Sequence, residues 1–215
     1  RVLMPVPSNL DWPGAGGVPE VFTTAHDAIF TQADLQPGEH LLVHGGAGGV
    51  GTAAIQLAVA AGARVTATVR NPELRDQVAE FGAEVIPPEN FGEHGPFDAI
   101  LELIGAPNLG ENVNALSVTG RIVVIGIGAG AKGDLHLGAL MAKRARIHGS
   151  MLRPRPLEEK ALTARAMERS VLPLLEQGLV RVPIAATYPL ERAEEAYDHF
   201  AAGGKLGKIV LLMGD

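Results

Sequence analysis

A glycine-rich loop between an apolar run and a helix-forming run constrains this chain most. The segment from Leu41 to Gly51 reads LLVHGGAGGVG and holds the spacing G-x-G-x-x-G at Gly46, Gly48 and Gly51. The spacing alone is weak evidence in a chain with 27 glycines, but its place after a predicted strand and at the start of a predicted helix is specific. Such glycines allow a tight turn, the approach of a pyrophosphate and close helix packing. The loop therefore predicts a dinucleotide site, where the free N–H groups of a helix N-terminus attract an anion.

The charge balance and the absence of cysteine exclude several classes of function. The 215 residues include 18 basic and 24 acidic side chains, giving a formal net charge of −6, whereas nucleic-acid-binding domains are usually basic. Hydrophobic residues make up 47% of the chain, which is enough for a packed core. With no cysteine present, this chain contains no disulfide scaffold, thiolate nucleophile or Cys-ligated zinc.

One uncharged stretch, from His40 to Ala63, is long enough to cross a bilayer. It contains the glycine cluster and two histidines, so it is interpreted as strand, loop and helix instead. The opening residues are interrupted by proline and lack the continuous apolar run of a signal peptide. We expect a cytoplasmic protein with no membrane partner.

Strands alternate with helices over residues 1–150, which predicts βαβ units and a parallel sheet. A first helix is expected from Pro19 to Ala33, with the preceding residues extended. Helices are also expected at 50–61, from Asn71 to Gly82, at 108–116 and at 134–142, and strands at 40–44, 64–69, 84–86, 99–103, 121–125 and 146–148. Six such strands predict an α/β fold, a Rossmann-type doubly wound parallel sheet that forms an NAD(P)-binding domain over 1–150.

Residues 151–215 predict a C-terminal α/β extension. A helix over 157–177 contains Pro173, where it should kink or restart. Tyr188 is placed in a short strand and residues 208–213 in a final strand. Between these strands, four apolar residues share one face of a predicted helix: Leu190, Ala193, Tyr197 and Phe200.

The end of the second strand predicts which dinucleotide binds. NAD sites usually carry an acid here that bonds the ribose hydroxyls, but this chain reads Thr68-Val69-Arg70-Asn71. A guanidinium at Arg70 attracts a 2′-phosphate, which favours NADPH. Arg75, one helical turn further on, is a weaker candidate, and a solvated Arg70 beside a permissive site is the alternative.

Several ordered motifs together resemble one known family over essentially the whole chain. HGGAGGVGTAAIQLA, FDAILELIG, ENVNAL, GRIVVIG, GSMLR and GKIVLL are similar to the zinc-independent quinone oxidoreductases of the medium-chain dehydrogenase/reductase superfamily, most closely the p53-inducible subgroup. The resemblance implies NADPH as cofactor, hydride transfer to a quinone or activated alkene, and no metal. We also expect a homo-oligomer, in the form of a dimer. An enoyl or 2-alkenal reductase of the same superfamily is the alternative.

The resemblance also implies which residues bind the cofactor. The expected cofactor-binding residues are Gly46, Ala47, Gly48, Gly49, Val50, Gly51, Arg70, Gly105, Ala106, Ile125, Gly126, Ile127, Ser150, Met151, Leu152 and Lys208. In that family a GroES-like catalytic domain precedes the segment at which this chain opens. The catalytic residues are therefore not predicted, and we expect this chain to turn over weakly or to be an inert cofactor-binding module.

Three other features are interpreted as structural. Glu102, in an apolar strand, is predicted to be hydrogen-bonded structure rather than a general base. His44, beside the loop, is predicted to be a satisfied core histidine, and the histidines lack metal-ligand spacing. A basic run from Lys143 to Arg155 suggests RNA binding as a different class of function, but the chain has only 4% aromatic residues and no stacking platform.

Overall fold

The computed structural model describes residues 1–214 and contains a six-stranded parallel sheet. Its strands run in the order β3-β2-β1-β4-β5-β6. They are β1 (His40–His44), β2 (Arg64–Thr68), β3 (Glu84–Ile86), β4 (Phe97–Glu102), β5 (Leu116–Val124) and β6 (Arg146–Gly149). The order reverses between β1 and β4, and ligands of open α/β sheets bind at such a switch point. The predicted fold class is confirmed.

Helices cover both faces of the central strands, so β1, for example, is buried along its whole length. Leu41 and Val43 of β1 belong to one apolar cluster, and Leu42 belongs to the cluster on the opposite face. The α-helices are α1 (Trp12–His26), α2 (Gly49–Ala60), α3 (Arg75–Ala79), α4 (Leu109–Ala115), α5 (Leu137–Lys143), α6 (Leu157–Ser170), α7 (Leu172–Glu176) and α8 (Ala193–Ala202). Short 3₁₀ turns lie at Pro72–Leu74, Phe91–His94, Ala106–Asn108 and Leu190–Arg192. Among the described residues, no helix combines the length and apolarity needed to cross a membrane.

The first helix begins seven residues before the predicted Pro19, so that expectation was wrong. Asp11 caps α1 by accepting from the Gly14 amide at 2.8 Å, and Pro13 lies in the first turn. The nearby glycines suggested an extended segment, but they permit packing instead. A Cβ on Gly17 would lie 2.7 Å from Val182 Cγ1. The helix continues as a π-helix over Asp27–Gln32, with an Ala33 N to Ala28 O bond of 2.9 Å.

The C-terminal residues form the predicted α/β piece. The helix restarts at Leu172, directly before Pro173, and β7 (Ile184–Pro189) pairs in parallel with β8 (Lys208–Leu212). Met167 and Leu175 are buried in the same apolar cluster as β1 and α2. The apolar face of α8 is uncovered, with Tyr197 71% and Phe200 62% exposed. The domain boundary at residue 150 stays a prediction.

Candidate functional site

The glycine-rich loop, Gly45 to Gly51, consists of the turn after β1 and the first three residues of α2, at the carboxyl edge of the sheet. Close packing forces glycine at two of its positions. A Cβ on Gly51 would lie 2.3 Å from Gly45 O, and one on Gly46 would lie 2.9 Å from Ala67 Cβ. The Gly46 amide donates to Thr68 O at 3.0 Å, which fixes the loop to β2. The loop is therefore held as a backbone cradle that a side chain would fill.

The N-terminus of α2 supplies the positive end of that cradle. Gly48 is the N-cap residue and offers no side chain to the first-turn N–H groups. Because these groups lack intrahelical partners, they suit an external anion. Ala47, Gly49 and Val50 complete the predicted loop here, so its geometry fits the pyrophosphate of a dinucleotide.

Arg70 follows β2 at the same edge of the sheet and is exposed. Its guanidinium makes no hydrogen bond or ion pair with any other residue in the described part of the chain. Arg75, by contrast, is bound to the local backbone, since its Nε donates to Val69 O at 3.0 Å. Arg70 is thus the side chain better placed to receive an added phosphate.

The loops after β4 and β5 pack tightly against each other. A Cβ on Gly126 would lie 2.2 Å from Leu103 O, and the Ala106 amide donates to Gly130 O at 2.9 Å. Gly105 has φ of +129°, a conformation that favours glycine. The predicted residues Gly105, Ala106, Gly126 and Ile127 therefore form one close-packed rim.

Glu102 and His44 lie beneath this rim and are both buried. The Glu102 carboxylate accepts from Ile104 N at 2.6 Å, Gly105 N at 2.8 Å, and the side-chain amides of Asn108 and Asn112 at 3.0 and 2.8 Å. Burial lowers the pKa of His44, with the nearby Glu102 charge opposing that shift. These contacts agree with the prediction that Glu102 and His44 are hydrogen-bonded structural side chains.

A cleft of about 620 Å³ opens between α1 and the residues that follow β5 and β6. Four predicted residues line it: Ile125, Ser150, Met151 and Leu152. The opposite wall comes from α1 and the first residue of the π-helix and was missed in the sequence: Pro19, Glu20, Thr23, Thr24 and Asp27. Glu20, Thr23, Thr24 and Asp27 recur at i, i+3, i+4 and i+7, so they share one polar face, and that spacing is the signal that could have identified them.

Lys208 lies beside the phosphate-binding loop rather than in that cleft. It lines a smaller cleft of about 160 Å³ together with Gly49 and Val50, and its Nζ lies 3.5 Å from Glu20 Oε2. Its backbone amide is already used, donating to Pro183 O at 2.9 Å. The expected contact between Lys208 and the cofactor stays a prediction.

Within residues 1–214, no three His, Asp or Glu side chains converge on a point that could hold a metal ion.

Comparison with known proteins identifies the family. The profile described as "Zinc-binding dehydrogenase" matches residues 49–168. The chain is 32% identical to a rat (Rattus norvegicus) quinone oxidoreductase over 97% of this chain and 65% of that protein, so it spans about two thirds of that relative's length. It is 30% identical to acryloyl-coenzyme A reductase of Metallosphaera sedula, covering 97% of this chain and 61% of that protein. A Thermus thermophilus quinone oxidoreductase, solved also in complex with NADPH, superposes with a TM-score of 0.86 at 33% identity, over 98% of this chain and 70% of that one. The chain belongs to the zinc-binding dehydrogenase family, within the medium-chain dehydrogenase/reductase superfamily that its motifs predicted.

Proposed function

We propose that this chain binds NADPH along the carboxyl edge of its sheet and belongs to an NADPH-dependent quinone oxidoreductase. One observation carries the proposal: the anion cradle at Gly46–Gly51 and the 620 Å³ cleft at Ser150 lie on the same edge, on either side of the switch point. An extended dinucleotide requires such a pair of sites, one for its phosphates and one for its reactive ring. The NADPH complex of the Thermus thermophilus relative supports the choice of cofactor.

Each part of the edge has a separate role in this proposal. The amides of Gly46–Gly51 hold the pyrophosphate, and Arg70 pairs with the 2′-phosphate. Gly105, Ala106, Gly126 and Ile127 form the rim along which the dinucleotide lies. Ile125 and Ser150–Leu152 line the end of the cleft for the nicotinamide, with Thr23 and Thr24 opposite. Lys208 borders the phosphates from the other side.

When bound, NADPH supplies the hydride, and the chain's own residues orient the cofactor and exclude water. Water exclusion is incomplete in this chain, because the cleft is open at Met151, which is 68% exposed. Poor orientation and solvent access can together cost about 10³-fold in rate. We therefore propose that these 215 residues bind cofactor but reduce a quinone slowly.

An activated alkene is the second candidate acceptor, favoured by the similarity to acryloyl-coenzyme A reductase. Both acceptors would use the same cofactor-binding residues, so only activity assays distinguish a quinone reductase from an alkene reductase. NADPH oxidation should be followed with a simple quinone, a 2-alkenal and an enoyl-coenzyme A, each with and without chelator. Faster turnover with the quinone, unaffected by chelator, supports the proposal. Faster turnover with either alkene assigns the protein to the reductase alternative, and loss of activity with chelator refutes metal independence.

We also propose that a second copy of the chain pairs along β6. This strand lies at the end of the sheet order, and its residues Arg146–Gly149 are all exposed. Its free edge presents unpaired N–H and C=O groups, and antiparallel pairing with an identical edge satisfies both copies. Light scattering should give a dimer mass, which Ile147→Lys should reduce. A wild-type monomer at high concentration would contradict the pairing.

A further inference from the structure

A chain of four buried side chains connects two of the proposed cofactor loops. We call it the Glu102 relay; its members in order are Glu102, Asn112, His44 and Thr68. Glu102 Oε2 lies 2.8 Å from Asn112 Nδ2, Asn112 Oδ1 lies 2.8 Å from His44 Nε2, and His44 Nδ1 lies 3.1 Å from Thr68 Oγ1. All four residues are at most 3% exposed, so solvent provides no substitute partners.

Each end of the relay holds a different loop. Glu102 Oε1 accepts from Ile104 N and Gly105 N, the start of the rim. At the other end, Thr68 Oγ1 lies 3.4 Å from Gly45 N, and Thr68 O accepts from Gly46 N at 3.0 Å. The relay therefore runs from the rim after β4 to the base of the phosphate-binding loop.

Only one direction of hydrogen bonding satisfies the whole relay. Four N–H groups donate to the two carboxyl oxygens of Glu102, so both oxygens act as acceptors. Asn112 must therefore donate its amide N–H to Glu102, which turns the Asn112 oxygen to His44. His44 Nε2 must then carry the proton, because two acceptors cannot bond each other.

The same logic continues to the loop. A neutral histidine protonated on Nε2 has an acceptor at Nδ1, so the Thr68 hydroxyl must donate to it. The Thr68 oxygen then presents its remaining lone pairs to the Gly45 amide. Burial lowers the pKa of His44, which favours the neutral ring at neutral pH. The hydrogen bonds on its two nitrogens then select the tautomer.

We propose that Glu102 is a positioning residue that orders this relay and thereby orients the phosphate-binding loop. The relay itself follows from the contacts above, whereas its effect on NADPH rests on the proposed function. Glu102 makes no contact with the cofactor in this account, and it acts through Asn112 and His44. The buried acid is thus a source of hydrogen-bond direction rather than a general base.

The substitution Glu102→Gln tests this assignment because it preserves shape while replacing one acceptor with a donor. The glutamine oxygen can still accept from Ile104 N and Gly105 N. Its amide, however, requires Asn112 to turn its oxygen toward it, and His44 then faces a donor. His44 must move its proton from Nε2 to Nδ1, and the Thr68 hydroxyl loses its acceptor beside Gly45.

The tautomer of His44 is measured directly by ¹⁵N NMR of the histidine ring, without nucleotide. In the wild-type chain we expect the proton on Nε2, in Glu102→Gln on Nδ1, and in the exposed control Glu93→Gln on Nε2. A merely structural Glu102 does not change which nitrogen is protonated. Wild-type His44 protonated on Nδ1, or an unchanged tautomer in folded Glu102→Gln, overturns the proposal.

Two further measurements complete the test. Thr68→Val keeps Glu102 in place, so Nε2 should stay protonated while the Nδ1 signal moves to that of an unbonded acceptor. If Glu102→Gln does not fold, Thr68→Val alone tests the direction of the relay. A His44 proton on Nδ1 in Thr68→Val contradicts the relay. NADPH titration should show about three- to tenfold weaker binding in Glu102→Gln and in Thr68→Val, but not in Glu93→Gln. Unchanged binding in both relay variants refutes the positioning role, whereas no binding by the wild type refutes the proposed function and leaves the tautomer result as it stands.

Discussion

Arg155 forms a bidentate ion pair with Asp27, with Nη1–Oδ1 and Nη2–Oδ2 distances of 3.0 and 2.6 Å. Asp27 begins the π-helix after α1, and Arg155 also donates to Ser150 Oγ at 2.6 Å. The pair therefore connects the two walls of the proposed nicotinamide cleft. The Asp27 side chain is 4% exposed and that of Arg155 15%, so the pair is largely shielded from water.

Replacing Asp27 should loosen the cleft. Asp27→Asn removes the charge and turns an amide toward Arg155, and lost hydrogen bonds to a charged group cost about 1.5–3 kcal/mol. We expect that loss in the free energy of unfolding, together with faster amide exchange over residues 150–155. The exposed Asp76→Asn is the matched control and should change neither. If the amide exchange rates of residues 150–155 in Asp27→Asn equal those of the wild type, the ion pair does not hold this loop.

Gly51→Ala tests the packing of the phosphate-binding loop. The added methyl group meets Gly45 O at 2.3 Å and Gly46 Cα at 2.9 Å, and backbone atoms cannot move aside cheaply. Overpacking of this kind costs about 1–3 kcal/mol, and the loop should lose its anion-binding shape. Urea denaturation and NADPH titration measure the two effects.

Gly110→Ala places its methyl group on a helix with no neighbouring atom within 4 Å, so this control should retain binding and wild-type or higher stability. Equal behaviour of the two variants contradicts the packing argument.

Stability should fall as the solution becomes mildly acidic. Burial lowers the pKa of His26, His40 and His44, and the Arg64 charge lowers that of His40 further. Below the ordinary histidine pKa of 6.5, the unfolded chain binds more protons than the folded chain, so stability is complete above that value and is lost below it. Urea denaturation should give a lower free energy of unfolding at about pH 5.5 than at about pH 7.5. His40→Gln, which can still bond Arg64 and Thr66, should reduce the difference. An unchanged or higher stability at the acidic pH is the contrary result.

The sequence predicted the sheet well because parallel strands and glycine turns leave local signals. The β1 bounds match the expectation. Asn71, the first residue of a predicted helix, caps the 3₁₀ turn at Pro72–Leu74 by accepting from Glu73 N at 3.0 Å. The start of α1 was missed although Asp11 and Pro13 are local start signals. The nearby glycines suggested a turn, whereas Gly17 is needed for a contact with Val182, far along the chain.

Long-range contacts also explain the other limits of prediction. Helical periodicity placed Tyr197 and Phe200 on one face, but periodicity carries no information on what covers that face. The cleft wall formed by Thr23 and Thr24 depends on how α1 crosses the sheet edge, which no local motif encodes. Local patterns thus identified the phosphate-binding loop, whereas tertiary packing determines the opposite end of the site.

The most direct test of the central proposal is a comparison of NADPH and NADH affinity in wild-type chain, Arg70→Ala and the exposed control Arg192→Ala. Arg70 has no partner among the described residues and no acid precedes it at the end of β2, so NADPH should bind the wild type more tightly. Because a charge-assisted contact contributes about 1.5–3 kcal/mol, Arg70→Ala should weaken NADPH binding about ten- to a hundredfold and leave NADH binding unchanged. Arg192→Ala should behave as wild type. Equal affinity of the wild type for both nucleotides, unaltered by Arg70→Ala, would contradict the assignment of this edge as an NADPH site.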